Sequence, residues 1–186
     1  MDIKPDNILI SSERRDQIES SQICLIDYGI AKPWRNPDYT HIEKRQLDRF
    51  CGNVLFASRN AFKGQSLSRR DDLISLVYLL CFLVNGEFTW LGNLRMDHLY
   101  FFRKVTKIKI KMKPVDICVN RAYCFYAFCE EIFRLRFKET PPYGQLKHLL
   151  TKCLLDMNRV PDARFDWSKF RVRPMHEVEA QLLGPQ

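Results

Sequence analysis

The chain has 186 residues, 46% hydrophobic and 28% charged, with a formal net charge of +8. Such a length suits one domain with a buried core, and such a composition excludes a chain disordered throughout. The positive balance favours acidic partners without choosing among nucleic acid, anionic membrane and acidic or phosphorylated protein.

In chain order, residues 8–10 and 23–26 are short β-prone runs joined by the polar stretch 11–22, which predicts a hairpin with a long loop. Residues 27–56 lose periodicity and mix Gly, Pro, Asn and basic residues, so a long irregular loop is expected. A helix is predicted over 71–85. Asp71 and Asp72 suit the positive end of its dipole, and Asn85-Gly86 supplies a stop. Its apolar residues cover every side, so it should stand at the centre of the fold. Further helices are predicted over 94–107, 121–136 and 143–156; in the last, Leu146, Leu149, Leu150, Cys153 and Leu154 recur at helical spacing. Residues 171–186 read as a polar tail. The fold class is mainly α with a small β-hairpin.

The longest apolar run, residues 73–84, is too short to cross a bilayer and is interrupted by Ser75. No secretory leader opens the sequence. The seven cysteines form no Cys-x-x-Cys pair. They are expected as free thiols packed in apolar surroundings, with neither a disulfide framework nor a zinc site. An intracellular setting, cytoplasm or nucleus, is expected.

The chemistry concentrates at two places. Asp2-Ile3-Lys4-Pro5-Asp6-Asn7 offers an acid, a lysine two residues on and an asparagine five residues on. The carboxylate can orient a hydroxyl and take its proton, the lysine can neutralise a transferring phosphoryl group, and the asparagine oxygen can ligate magnesium. Asp27-Tyr28-Gly29 follows the second β run, where a carboxylate suits a second magnesium ligand on a bendable loop. Each piece alone fits a surface turn. Together, with strand, polar loop and strand between them, they match the protein-kinase order of catalytic loop, hairpin and magnesium loop.

Further stretches narrow the resemblance. Residues 2–9 resemble the casein kinase I catalytic loop, and Ile26-Asp27-Tyr28-Gly29-Ile30-Ala31-Lys32 its magnesium loop. Ala57-Ser58-Arg59-Asn60 resembles the signature that replaces Ala-Pro-Glu there. Ser68-Arg69-Arg70-Asp71-Asp72-Leu73 is the most specific stretch. Trp90-x-Gly92, Leu135-Arg136-Phe137 and Phe165-Asp166-Trp167 follow in family order. The resemblance implies a protein-kinase-like fold, C-terminal lobe only, over residues 1–170, beginning inside the catalytic loop. It implies Asp2 as catalytic base and Lys4 on the γ-phosphate, with Asn7 and Asp27 holding Mg²⁺. Asp72 would support the catalytic loop, Gly52 and Asn53 would belong to the substrate loop, and Arg136 would be a buried ion-pair or hydrogen-bond partner. The implied activity is serine/threonine protein kinase, with ATP as phosphoryl donor, when joined to an N-terminal lobe.

Departures from the family pattern accompany the likeness. Tyr28 replaces the usual phenylalanine, and Met1 precedes Asp2 where His-Arg is usual. Asn53 stands where a threonine hydroxyl bonds the catalytic aspartate. An arginine and a lysine that bind phosphate on primed substrates are replaced near Leu55 and Phe101. The glycine-rich loop, the strand lysine with its helix glutamate, and the hinge are missing, so the chain by itself is expected to be inactive. A non-catalytic lobe that binds protein partners is therefore the alternative. The run Lys104, Lys107, Lys109, Lys111 and Lys113 is expected as a solvated helix end and loop. Its lesser reading is a docking surface for acidic substrate, anionic lipid or nucleic acid, though no aromatic interleaving supports a single-strand platform.

Overall fold

The computed structural model describes residues 2–11, 22–92 and 98–161. A 3-10 turn, Pro5–Asn7, opens it, with the fixed φ of Pro5 suited to the first helical position. It leads into β1 (Ile8–Ser11), which pairs antiparallel with β2 (Gln22–Leu25), Ile8 opposite Leu25 and Ile10 opposite Ile23. From Ile26 to Ser58 the chain is irregular, apart from isolated bridges of Arg35 with His41 and Gln46 with Gln65. Then come α1 (Arg59–Phe62), α2 (Arg69–Asn85), α3 (His98–Lys111) and α4 (Pro114–Ile117). A 3-10 helix, Asn120–Phe125, runs into α5 (Tyr126–Arg134), and α6 (Tyr143–Asp156) follows.

The centre is α2. Ser68 stands at its N-cap and its main-chain N–H donates to Asp71 Oδ2 at 2.9 Å, closing the first turn. Gly86 ends it with a φ of 79°, a left-handed turn that glycine adopts at no steric cost. Val77, Tyr78, Leu79 and Cys81 are buried, and α2 packs against the Asn120–Phe125 turn and α5. Phe128, Cys129 and Ile132 of α5, Ile117 and Cys118 around α4, and Leu146 of α6 complete this core. Cover is incomplete: Leu76 and Leu80 are half-buried and Leu83 is 60% exposed, along one stripe of the helix.

Several expectations change in detail. The helix expected over 94–107 is described from His98 and continues to Lys111, while 93–97 lie outside the described residues. The one expected over 121–136 divides into the 3-10 turn and α5. It stops at Arg134 because Leu135 turns to an extended ψ of 132° and buries its side chain. The four-residue α1 and α4 had no periodic signal to announce them. The expected tail and Phe165-Asp166-Trp167 lie outside the described residues. Among the described residues no helix is long and apolar enough to cross a membrane.

Candidate active site

The stretch before β1 is folded onto itself by short-range bonds. Asn7, 5% exposed, donates through Nδ2 to the main-chain carbonyl of Asp2 at 2.8 Å. Its own carbonyl accepts from Ile26 N–H at 2.9 Å. One residue thereby ties the loop carrying Asp2 to the strand end that carries Asp27. The nitrogen of the Asn7 amide is engaged on Asp2, which leaves the amide oxygen as a possible cation ligand.

Asp2 itself is held from two sides. Lys4 Nζ lies 3.1 Å from its Oδ2, and the main-chain N–H of Asn53 donates to its Oδ1 at 2.8 Å. The Lys4 pKa is raised, first by the hydrogen bond to Asp2 and then by the charge of Asp2, with the charges of Asp6 and Asp27 adding less. Asp2, Lys4 and Asp27 therefore share one electrostatic neighbourhood. Asp27 sits at a φ of 59°, two residues past the end of β2, and its Oδ1 accepts from Gly29 N–H at 3.1 Å. The bend presents the carboxylate at the surface, where it is exposed.

The pair expected in a substrate loop, Gly52 and Asn53, lies beside Asp2. Gly52 has a φ of 106°, which side-chain-bearing residues rarely adopt, and a Cβ there would stand 3.7 Å from Asp2 Oδ1. Asn53 reaches Asp2 through its main chain only. Its side-chain Oδ1 accepts instead from Leu55 N–H at 2.8 Å, in a local turn. Asp72 is half-buried on the first turn of α2 and lines a small crevice shared with Asp2, Ile3, Gly52 and Asn53.

Arg136 does not fill its expected role. It is exposed, and its main-chain N–H donates to Glu139 Oε2 at 2.8 Å. Three other arginines hang the 133–140 segment instead. Arg59 reaches the carbonyl of Phe133 at 3.4 Å, Arg70 that of Leu135 at 3.2 Å and Arg69 that of Glu139 at 3.3 Å. The buried Leu135 and Phe137 turn their neighbour Arg136 outward, as extended chain alternates its side chains.

Two supporting residues escaped the sequence reading. Asp71 is 3% exposed, and its Oδ1 accepts from Ser58 Oγ and Asn60 Nδ2, each at 2.7 Å. The pattern Ser68-x-x-Asp71, a helix-start signature, carried that signal. Lys109 is buried, although its basic run reads as solvated. Arg69 also lies 3.7 Å over the Trp34 ring, joining the segment after Asp27 to the start of α2.

For Mg²⁺ the available donors are oxygens, the Asn7 amide and the Asp27 carboxylate, which suit a hard cation completed by water and phosphate. Among the described residues no group of three or more His, Cys, Asp and Glu gathers into a metal site.

A hairpin between an Asp-x-Lys-x-x-Asn loop and an Asp-x-Gly loop, set on a central helix, has the form of a protein-kinase C-terminal lobe. No protein-family model matches the chain. Casein kinase I homolog 2 of Saccharomyces cerevisiae is 31% identical over 169 residues, 90% of this chain and 31% of that protein. Casein kinase I homolog 1 of the same yeast is likewise 31% identical over 169 residues. A probable casein kinase I homolog of Encephalitozoon cuniculi is 29% identical over 167 residues, 89% of this chain and 53% of that protein. The chain is related to the casein kinase I homologs and spans from about a third to about half the length of these relatives.

Proposed function

We propose that this chain is the C-terminal lobe of a serine/threonine protein kinase, transferring the γ-phosphoryl group of ATP to protein hydroxyls when joined to an N-terminal lobe. The observation that carries this reading is the Asp2 carboxylate, held at once by Lys4 Nζ and the Asn53 main-chain N–H. Asp2 orients the substrate hydroxyl and accepts its proton. Lys4, charged and pointed at Asp2, is available to the transferring phosphoryl group. Asn7 and Asp27 are the residues that would hold Mg²⁺, which when bound neutralises charge on the phosphates. Asp72 supports the catalytic loop from α2, and Gly52 and Asn53 form the floor on which the substrate lies. The protein substrate, acidic in keeping with the chain's positive charge, would be met in cytoplasm or nucleus.

A second reading has one observation in its favour. Asn53 has no side-chain hydroxyl to offer Asp2, and its amide oxygen accepts instead from Leu55 N–H. A lobe so altered fits a non-catalytic protein-interaction module. The test joins this chain to the N-terminal lobe of a casein kinase I homolog and measures transfer from Mg²⁺–ATP to a serine peptide. Transfer that EDTA stops supports the enzyme. Nucleotide binding without transfer favours the module.

A further inference from the structure

Lys109 stands in a run of lysines, yet its side chain is fully buried. Its Nζ donates to the carbonyl of Leu55 and, at 3.0 Å, to that of Ala57. It lies 3.4 Å from the Tyr78 ring centroid and 5.3 Å from that of Trp90. Neither hydrogen-bond partner is a carboxylate. Burying an amine in this way is costly, and leucine or methionine would fill the same space more cheaply if packing were all that was needed. What the amine adds is a grip on two carbonyls.

Those carbonyls belong to the turn around Asn53. Leu55 N–H donates to Asn53 Oδ1, and Ala57 N–H donates to the Asn53 carbonyl, each at 2.8 Å. The N–H of Asn53 in turn rests on Asp2. Leu55 and Ala57 thus hold Asn53 with their N–H groups while Lys109 holds them by their oxygens. We infer that Lys109 is a positioning residue: by fixing the 53–57 turn from α3, it keeps the Asn53 N–H on the Asp2 carboxylate. The consequence for catalysis rests on the kinase reading; the mechanical tie does not. Helix α3 is thereby part of the support of the site, although it lies far along the chain from it.

The test is amide hydrogen exchange by NMR on the full chain, comparing the native protein with Lys109→Met, which keeps an unbranched apolar stem, and Lys109→Gln, which keeps a donor. In the methionine variant, exchange at the Asn53 and Leu55 amides is expected to rise about tenfold or more, while amides inside α2 change less than about twofold. Glutamine recovers part of the protection. Uniform loss throughout α2 and α5 marks Lys109 as core packing and overturns the inference, as does unchanged exchange at Asn53. Should the methionine variant not fold, the native protein decides: Lys109 Nζ protons that exchange slowly and show contacts to the Tyr78 ring support the tie, and a freely exchanging Nζ overturns it. This readout involves no phosphoryl transfer. A chain that shows the expected exchange but no transfer in the two-lobe assay loses the kinase reading and keeps the tie.

Discussion

Asn53 and Asp2 are joined main chain to side chain: the N–H of Asn53 donates to Asp2 Oδ1 at 2.8 Å, independently of what the Asn53 side chain does. Asn53→Ala should therefore keep the contact with Asp2 and lose only the turn bond to Leu55. The expected cost is about 1 kcal/mol of stability, read by urea unfolding. Transfer by the two-lobe protein should fall far less than when Asp2 is changed. A loss as large as that of Asp2→Asn would show that the side chain carries the interaction.

Asp71 should be among the most sensitive positions for stability. Its buried carboxylate accepts from Ser58, Asn60 and the Ser68 N–H, and lies 3.6 Å from Arg70 Nε. Asp71→Ala leaves these donors without their acceptor and should cost about 3 kcal/mol or more, again by urea unfolding with unchanged slope. A loss within the ordinary range of surface changes would contradict the network.

The Lys4–Asp2 pair predicts a titration. Asp2 raises the Lys4 pKa by its hydrogen bond and then by its charge. A base with a raised folded pKa contributes stability below its unfolded pKa and loses it as pH rises through the folded value, so the contribution of Lys4 is lost in alkaline solution. Asp2→Asn should lower the Lys4 pKa, followed by NMR of the Lys4 side chain. An unmoved titration would mean that the pair does not form in solution.

Lys109 predicts the opposite slope. Burial pushes its pKa well below the ordinary lysine value. The unfolded chain keeps this proton up to about pH 10.4, while the folded chain releases it earlier. Stability from this group therefore rises with pH between the two values, and Lys109→Met should flatten that rise. Unfolding free energies of the two proteins at several pH values measure the difference.

The incompletely covered stripe of α2 should act on association. Leu83 is 60% exposed, above the half-buried Leu76 and Leu80. Exposed apolar surface of this kind drives self-association. Leu83→Lys should reduce concentration-dependent sedimentation without lowering the melting temperature. An unchanged profile would assign any association to another surface.

The motifs were more legible than the supports. Asp2, Lys4, Asn7 and Asp27 stand out as the residue types that phosphoryl chemistry would need at short range, and the hairpin between them reads from β-prone runs. Helix α6 reads to the residue because its leucines keep one period and Pro141-Pro142 marks the turn before it. The turns α1 and α4 are shorter than a period, so nothing in the pattern marks them. Arg136 and Lys109 exchanged their expected places, one turned out by its buried neighbours and the other drawn in by carbonyls more than fifty residues away. Such partners are set by tertiary contact, which a local reading of charge does not contain.

The central claim is that Asp2 is the base. The most direct measurement is the rate of phosphoryl transfer to a serine peptide by the two-lobe protein and by its Asp2→Asn form. The account predicts a fall of about 10²-fold or more, the ordinary worth of a positioned base, with the melting temperature retained. Equal rates in the two proteins would contradict it.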